Sequence, residues 1–293
     1  MSIHDNVILA DRETDGLVWG GLGVLLFSVS MVATRAAAPE LGGVFVGLGR
    51  GLVAAVLAGA VILVRGLPLP ARRHWPGLLV VAAGSVIGFP LLSAIAMEHV
   101  PASHGLIFTA LMPSATALAA VVRAGERPSW RFWGWSLVAA ALVIAYAGRH
   151  GADGLVGADA LLAGGMVVSA VAYTEGGRLS RELGGMTVLS WALVFAMPVL
   201  LPAVAFRVWA APVHGSPAAW LGFAYVSIFS MYVGFLCWYR GLARGGIARV
   251  SQLQMVQPLL GLGWCAVLLG EPLSVSLVVT AAAVIGCVAM GRR

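Results

Sequence analysis

Apolar runs of about twenty residues recur from one end of this chain to the other, and nothing else in the sequence constrains its fold as tightly. A bilayer core is crossed by an α-helix of about 20 apolar residues, and a helix satisfies every backbone N–H and C=O from within. Taking the short polar breaks as loops places spans at 17–38, 41–65, 75–97, 101–122, 130–148, 157–177, 186–207, 217–239, 246–269 and 273–290. The expected fold is an all-α integral membrane protein with ten transmembrane helices. With 60% hydrophobic and 10% charged residues, the chain lacks the polar surface of a soluble domain. Residues 1–16 are the longest polar segment and are expected to form a cytoplasmic tail. The tail is acidic and has no small-residue cleavage site, so the first span is expected to stay in the mature protein.

The chain has no lysine, and its arginines are unevenly placed. With a cytoplasmic N-terminus and ten crossings, fourteen arginines fall in the cytoplasm, among them Arg65, Arg72, Arg73, Arg178, Arg181, Arg240 and Arg244. Only Arg35, Arg149 and Arg207 fall outside, and Arg50 lies within a span. Such a bias places positive loops inside. Both termini are then expected to be cytoplasmic. The net charge of +6 is a topology signal and not a nucleic-acid surface, because the arginines form no patch. Cys237, Cys265 and Cys287 all lie inside spans, which gives neither a disulfide framework nor metal-ligand spacing. No cofactor is expected, the partners are a small-molecule substrate and the lipid bilayer, and no oligomer is specified.

The two halves look alike. Ala-Gly-Glu-Arg-Pro-Ser at 124–129 matches Leu-Gly-Glu-Pro-Leu-Ser at 269–274, with Pro113 and Pro258 thirteen residues before the respective glutamates. Glu-Leu-Gly-Gly occurs at 40–43 and again at 182–185. The offsets, 145 and 142 residues, are about half the chain. Residues 17–148 and 157–290 are therefore read as two five-helix repeats. Five is odd, so the second enters the membrane from the opposite side, and the loop at Glu271, unlike that at Glu126, carries no arginine. Inverted repeats are an architecture of secondary transporters, with the substrate near mid-membrane at the repeat interface. Chance likeness between apolar helices is the competing account. In each Gly-Glu turn, glycine suits a helix end and proline a helix start, while glutamate faces the positive end of the following helix.

Ten spans in five-helix halves, a proline within spans 4 and 9 and a Gly-Glu hairpin after each make the chain resemble the EamA-type drug/metabolite transporters over essentially its whole length. Within that superfamily it is most similar, by overall likeness, to the bacterial aromatic amino acid exporters of the YddG type. The resemblance implies an inner-membrane exporter of amino acids or related small metabolites. It also implies alternating access, a central cavity bounded by spans 1, 3, 4, 6, 8 and 9, and peripheral spans 5 and 10.

Polar groups at membrane depth face a cavity or another helix. Span 9 is richest in them: Ser251, Gln254 and Gln257 precede Pro258, which frees a backbone carbonyl one turn back. An amide beside a free carbonyl can hold a substrate ammonium; bonding between helices is the alternative. At the 145-residue offset Gln254 corresponds to Thr109 and Gln257 to Met112, ahead of Pro113. His104, nearby in span 4, reads as a packing residue. Tyr225, Phe229, Tyr232 and Tyr239 form a stripe on span 8 at helical spacing, flanked by Trp238. They make an aromatic wall that suits an apolar or aromatic substrate, or else pack against lipid and other helices; Tyr173, on span 6, is a further substrate-binding candidate. Trp19 reads as interfacial belt or gate. Glu175 is the candidate for proton coupling, or simply pairs with Arg178 at i+3. Arg50 can attract a carboxylate or hold backbone carbonyls. Since the resemblance does not place span 2 at the cavity, the structural role is expected. Glu98 is expected to be solvated. Pro90, Pro113 and Pro258 are hinge candidates, and Gly16/Gly20, Gly43/Gly47 and Gly241/Gly245 allow close helix approach.

No H-E-x-x-H or G-x-S-x-G motif and no cluster of titratable groups at one depth suggests an enzyme. A phosphate carrier would need several buried basic groups. A broad multidrug or lipophilic-cation efflux pump is the alternative to amino acid export.

Overall fold

The computed structural model describes residues 3–124, 129–150, 155–245, 250 and 252–291, and every regular element among them is helical. In chain order these are α1 (Ile3–Ser28), α2 (Ser30–Leu41), α3 (Gly43–Arg65), α4 (Trp75–Val81), α5 (Phe89–His99), α6 (Ala102–Thr109), α7 (Met112–Ala124), α8 (Trp130–His150), α9 (Leu155–Leu183), α10 (Gly185–Ala210), α11 (Pro217–Tyr225), α12 (Phe235–Gly245), α13 (Gln257–Leu269) and α14 (Val275–Gly291). Wide π-helical turns, Ala82–Gly88 and Val226–Gly234, join α4 to α5 and α11 to α12. A tighter 3-10 turn, Gln252–Val256, leads into α13.

Among the described residues, six stretches are long and apolar enough to cross a bilayer: Thr14–Leu41, Gly43–Arg65, Arg72–His99, Gly157–Leu183, Gly185–Ala210 and Pro217–Gly245. Trp130–Ala145, Leu253–Leu269 and Val275–Cys287 are shorter apolar helices. The chain is thus an all-helical, multi-pass membrane protein. Leu63, Leu137, Ile144, Leu221 and Val267 are exposed on its outside, an apolar surface suited to lipid. One boundary differs from expectation: α1 starts at Ile3, inside the segment read as a tail. Residues 3–15 contain no glycine or proline, so nothing stops the helix from extending back. Glu126 lies outside the described residues.

The repeated Glu-Leu-Gly-Gly acquires a physical meaning in three dimensions. Its first glycine, Gly42 or Gly184, is the whole connection between two long helices, at φ 88° and 80° respectively. A side chain is strained at such a φ. Each glycine N–H closes the helix before it (Gly42 to Ala38 O, 2.9 Å; Gly184 to Ser180 O, 3.0 Å) and each carbonyl opens the next (from Val46 N, 2.9 Å; from Val188 N, 3.1 Å). The prolines behave differently from one another. Pro90 and Pro258 sit in the first turn of α5 and α13, directly after the π-helical and 3-10 turns, where a missing N–H costs little. Pro113 follows a break at Ala110–Leu111 between α6 and α7. Pro198 and Pro202 leave α10 continuous.

Helix α1 packs most extensively on α12, α3 on α10, α5 on α9, and α8 on α14. Two glycine pairs meet in the first contact: a Cβ on Gly16 would lie 2.2 Å from the Gly245 nitrogen, and one on Gly241 2.6 Å from that of Gly20. Gly43 and Gly47 instead press against the backbone of α5, at Ala94–Ile95 and Pro90–Leu91.

Candidate functional site

Where the helices are irregular, they surround a partly open cavity lined by residues from both halves of the chain. Phe27, Ser30, Met31 and Thr34 reach it from the α1–α2 junction, and Arg50 from α3. Ser85, Phe89 and Ser93 come from the first π-helical turn and α5, Thr109 and Met112 from either side of the α6–α7 break, and Tyr173 from α9. Ser230, Phe235, Gln254 and Gln257 complete the wall. Three pairs of these residues stand 145 apart in sequence: Ser85 and Ser230, Thr109 and Gln254, Met112 and Gln257.

Much of the wall's polarity is already satisfied. Thr34 donates to Ser30 O (2.7 Å), Ser93 to Phe89 O (2.6 Å) and Thr109 to Leu106 O (2.8 Å). Ser30 donates to Ser230 Oγ at 2.7 Å, and Arg50 Nη2 to the same oxygen at 3.2 Å. Three wall groups remain uncommitted: Arg50 Nε, Ser85 Oγ and Gln254 Oε1 are buried with no hydrogen-bond partner among the described residues. Tyr173 lies beside Gln254 and Ser169, and in the field of Arg50. One side of the cavity is aromatic. Phe27 meets Phe235 edge-on at 5.0 Å, and Tyr173 meets Phe235 at 5.8 Å. Trp238 backs them, 6.3 Å from Phe27 and 6.2 Å from Tyr173.

Of the residues singled out from sequence, Gln254, Gln257, Thr109, Met112 and Tyr173 come together at this cavity, while Ser251 lies outside the described residues. Four others do not line it. Tyr232 points to α10, its hydroxyl 3.4 Å from that of Ser190. Trp238 lies a layer behind, and Tyr239 is fully buried with its hydroxyl over Gly176 of α9. The stripe assumed a uniform 3.6-residue period, but i→i+5 bonding through Val226–Gly234 slows the rotation about the axis. Tyr225 therefore donates to Leu26 O (3.0 Å) and Phe229 faces outward. Trp19 occupies a separate groove with Met186, Cys237 and Arg240; it donates to Asp15 (3.0 Å) and carries the Arg240 guanidinium 4.1 Å above its ring.

Three further expectations are corrected. Arg50 faces the cavity and does not snorkel, because Gly49 and Gly51 pack directly against Phe223 and Leu200 and hold α3 in the bundle. Glu98 is not free in solvent: it accepts the Gly43 N–H at the start of α3, while Arg35 Nη1 donates to Met97 O at 2.6 Å. Glu271 does not serve its own next helix; it accepts from Ala102 N (2.8 Å) and Ser103 N (3.0 Å), capping α6. Glu40 caps α11 likewise, through Ser216 N at 2.6 Å. Carboxylates at helix N-termini are favoured by free N–H groups and by the dipole. Glu175 pairs with Arg178 at 2.6 Å, and His104 with Asp159 at 2.6 Å.

Sequence reasoning missed Ser30, Ser85 and Ser230 as wall residues. The available signal was hydroxyls inside apolar spans, two of them 145 residues apart.

The family model described as the EamA-like transporter family matches the chain twice, over residues 14–147 and 157–291. A protein of Bacillus subtilis (strain 168) named uncharacterized transporter YdeK is 45% identical over 286 residues, covering 97% of this chain and 99% of its own. A probable terminal-alkyne amino-acid exporter of Streptantibioticus cattleyicolor is 29% identical over 279 residues, covering 93% of this chain and 92% of its own. A solved crystal structure superposes with a TM-score of 0.65 at 18% identity, over 95% of this chain and 96% of its own, a likeness of fold.

Proposed function

The chain belongs to the EamA-like transporter family, and from that premise we propose that it exports amino acids, neutral and aromatic ones among them, through its central cavity by alternating access. The observation that carries this reading is the composition of the cavity wall. Aromatic rings on one side and uncommitted hydrogen-bonding groups on another suit a small molecule with an apolar body and a polar head. The name of the Streptantibioticus cattleyicolor relative, an amino-acid exporter, points the same way. An aromatic side chain gains about 0.5–1.5 kcal/mol from ring contacts beyond its buried area. Preference should therefore be graded and not exclusive.

Cells overproducing the protein are expected to resist toxic aromatic amino acid analogues and to release more phenylalanine or tryptophan. Proteoliposomes that move lipophilic cations while ignoring every amino acid would favour a multidrug pump instead.

The architecture proposed for this activity is ten membrane-crossing helices in two inverted halves, 17–148 and 157–290, with both termini in the cytoplasm of a bacterial inner membrane. Support comes from the two family matches, the paired glycine links at Gly42 and Gly184, and the π-helical turns at matching places in each half. The three cavity pairs at one offset add to it. Cysteine placed at exposed Ser274, in a background without the native cysteines, is expected to react with an impermeant maleimide from outside, and at exposed Ser129 only after permeabilisation. The reverse pattern would overturn both orientation and inversion.

A further inference from the structure

We propose that Arg50 is the receptor for a substrate carboxylate, so that the transported class is carboxylates with one apolar arm and not lipophilic cations or amines. The inference deepens the reading above and rests on it. Arg50 is 3% exposed and lines the cavity. It lies seven residues from the start of α3, about 10 Å along the helix at 1.5 Å per residue.

Within the membrane a guanidinium is tolerated when it is paired or when it serves a pathway. No carboxylate among the described residues pairs with it. The groups around it are hydroxyls: Ser230 accepts from Nη2 at 3.2 Å, Tyr173 lies in its field, and Nε has no partner among the described residues. Ser230 is a neutral acceptor, and Ser30 already donates to it. The guanidinium is thus positioned by Ser230 and left with unspent donors, a geometry that matches the two oxygens of a carboxylate. Glu40, the acidic residue nearest in sequence, binds Ser216, while Glu98 accepts at the start of α3 and Glu175 pairs with Arg178.

The remaining wall assigns the rest of the substrate. Gln254 Oε1, an acceptor with no donor among the described residues, suits an ammonium, and Tyr173 lies beside Gln254 and in the field of Arg50. The edge-on pair of Phe27 and Phe235 faces the apolar arm. A single cation in the wall balances one carboxylate; a phosphate dianion would leave excess charge in a low-dielectric site.

The test is competition for labelled phenylalanine counterflow in proteoliposomes of the full chain. Phenylalanine and 3-phenylpropionate, which keeps the carboxylate and lacks the ammonium, are expected to compete; phenylalaninamide and phenethylamine are not. R50Q, which keeps a donor for Ser230 but loses the charge, should raise the apparent KM about tenfold or more. It should also shrink the preference for phenylalanine over its amide to about twofold or less, at unchanged melting temperature; R50K should retain part of the preference. Equal competition by acid and amide in the wild type, or an R50Q protein that still discriminates, would overturn the proposal while leaving amino acid transport intact. Movement of lipophilic cations with no competition from any amino acid would instead overturn the transport reading itself.

Discussion

Replacing Gly16 or Gly241 by alanine should destabilise the protein by about 1–3 kcal/mol each, with valine or leucine preventing recovery of folded protein. The reason is what a side chain would meet. A Cβ on Gly16 would stand 2.2 Å from the Gly245 nitrogen and 2.4 Å from its Cα; on Gly241 it would stand 2.6 Å from the Gly20 nitrogen and 2.8 Å from its Cα. These neighbours are backbone, so no flexible side chain can yield, and α1 and α12 would have to separate. Close packing is the main adhesive between helices in lipid, where apolar burial adds little. Gly21 is the control: it is one residue from Gly20, and a Cβ there meets nothing within 4 Å. Thermal unfolding in detergent is the measurement. Transport should fall with stability, since the same helix brings Phe27 to the cavity. G16A and G21A proteins of equal melting temperature would mean that the helices do not meet at these glycines.

That contact also illustrates what the sequence could and could not convey. Each Gly-x-x-x-Gly motif was visible, but not that 16/20 pairs with 241/245 while 43/47 meets the backbone of α5 at Ala94–Ile95 and Pro90–Leu91. Local spacing says which helix face is smooth; only the bundle decides what lies against it. Gln254, Gln257, Thr109 and Met112 were legible because a polar or flexible side chain next to a helix-interrupting proline is a local feature, and the 145-residue offset tied the two sets together. Trp238 and Tyr239 were misplaced because periodicity was extended through Val226–Gly234, where the helix widens. Glu98 and Glu271 form bonds to Gly43 and Ala102, separations beyond any local pattern. Arg50 was visible as a charge inside an apolar run, and its own chemistry was the better guide: a buried cation with no carboxylate beside it among the described residues belongs at a site.

Substituting Gln254 by leucine separates the two roles open to this amide. If it tied helices together, its removal would leave a partner unsatisfied and lower stability. Yet Gln254 is 4% exposed and its Oε1 accepts no hydrogen bond from the described residues, so the oxygen contributes desolvation without a compensating bond. A leucine of similar volume removes that cost along with the amide's contact to Tyr173, two effects that oppose each other, so the melting temperature should change little. Transport should respond differently. A hydrogen bond to a charged ammonium contributes about 1.5–3 kcal/mol, so Q254L should lose about ten- to a hundredfold in apparent affinity for amino acids. Competition by 3-phenylpropionate, which has no ammonium, should be little affected. Q254E is a sharper probe, because its carboxylate would share the cavity wall with Arg50 and compete with the substrate's own. That variant is expected to fold and to lose the binding of both the amino acid and the ammonium-free acid. Stability and transport falling together in Q254L, with both ligands weakened equally, would assign the amide to packing and leave the ammonium without its acceptor.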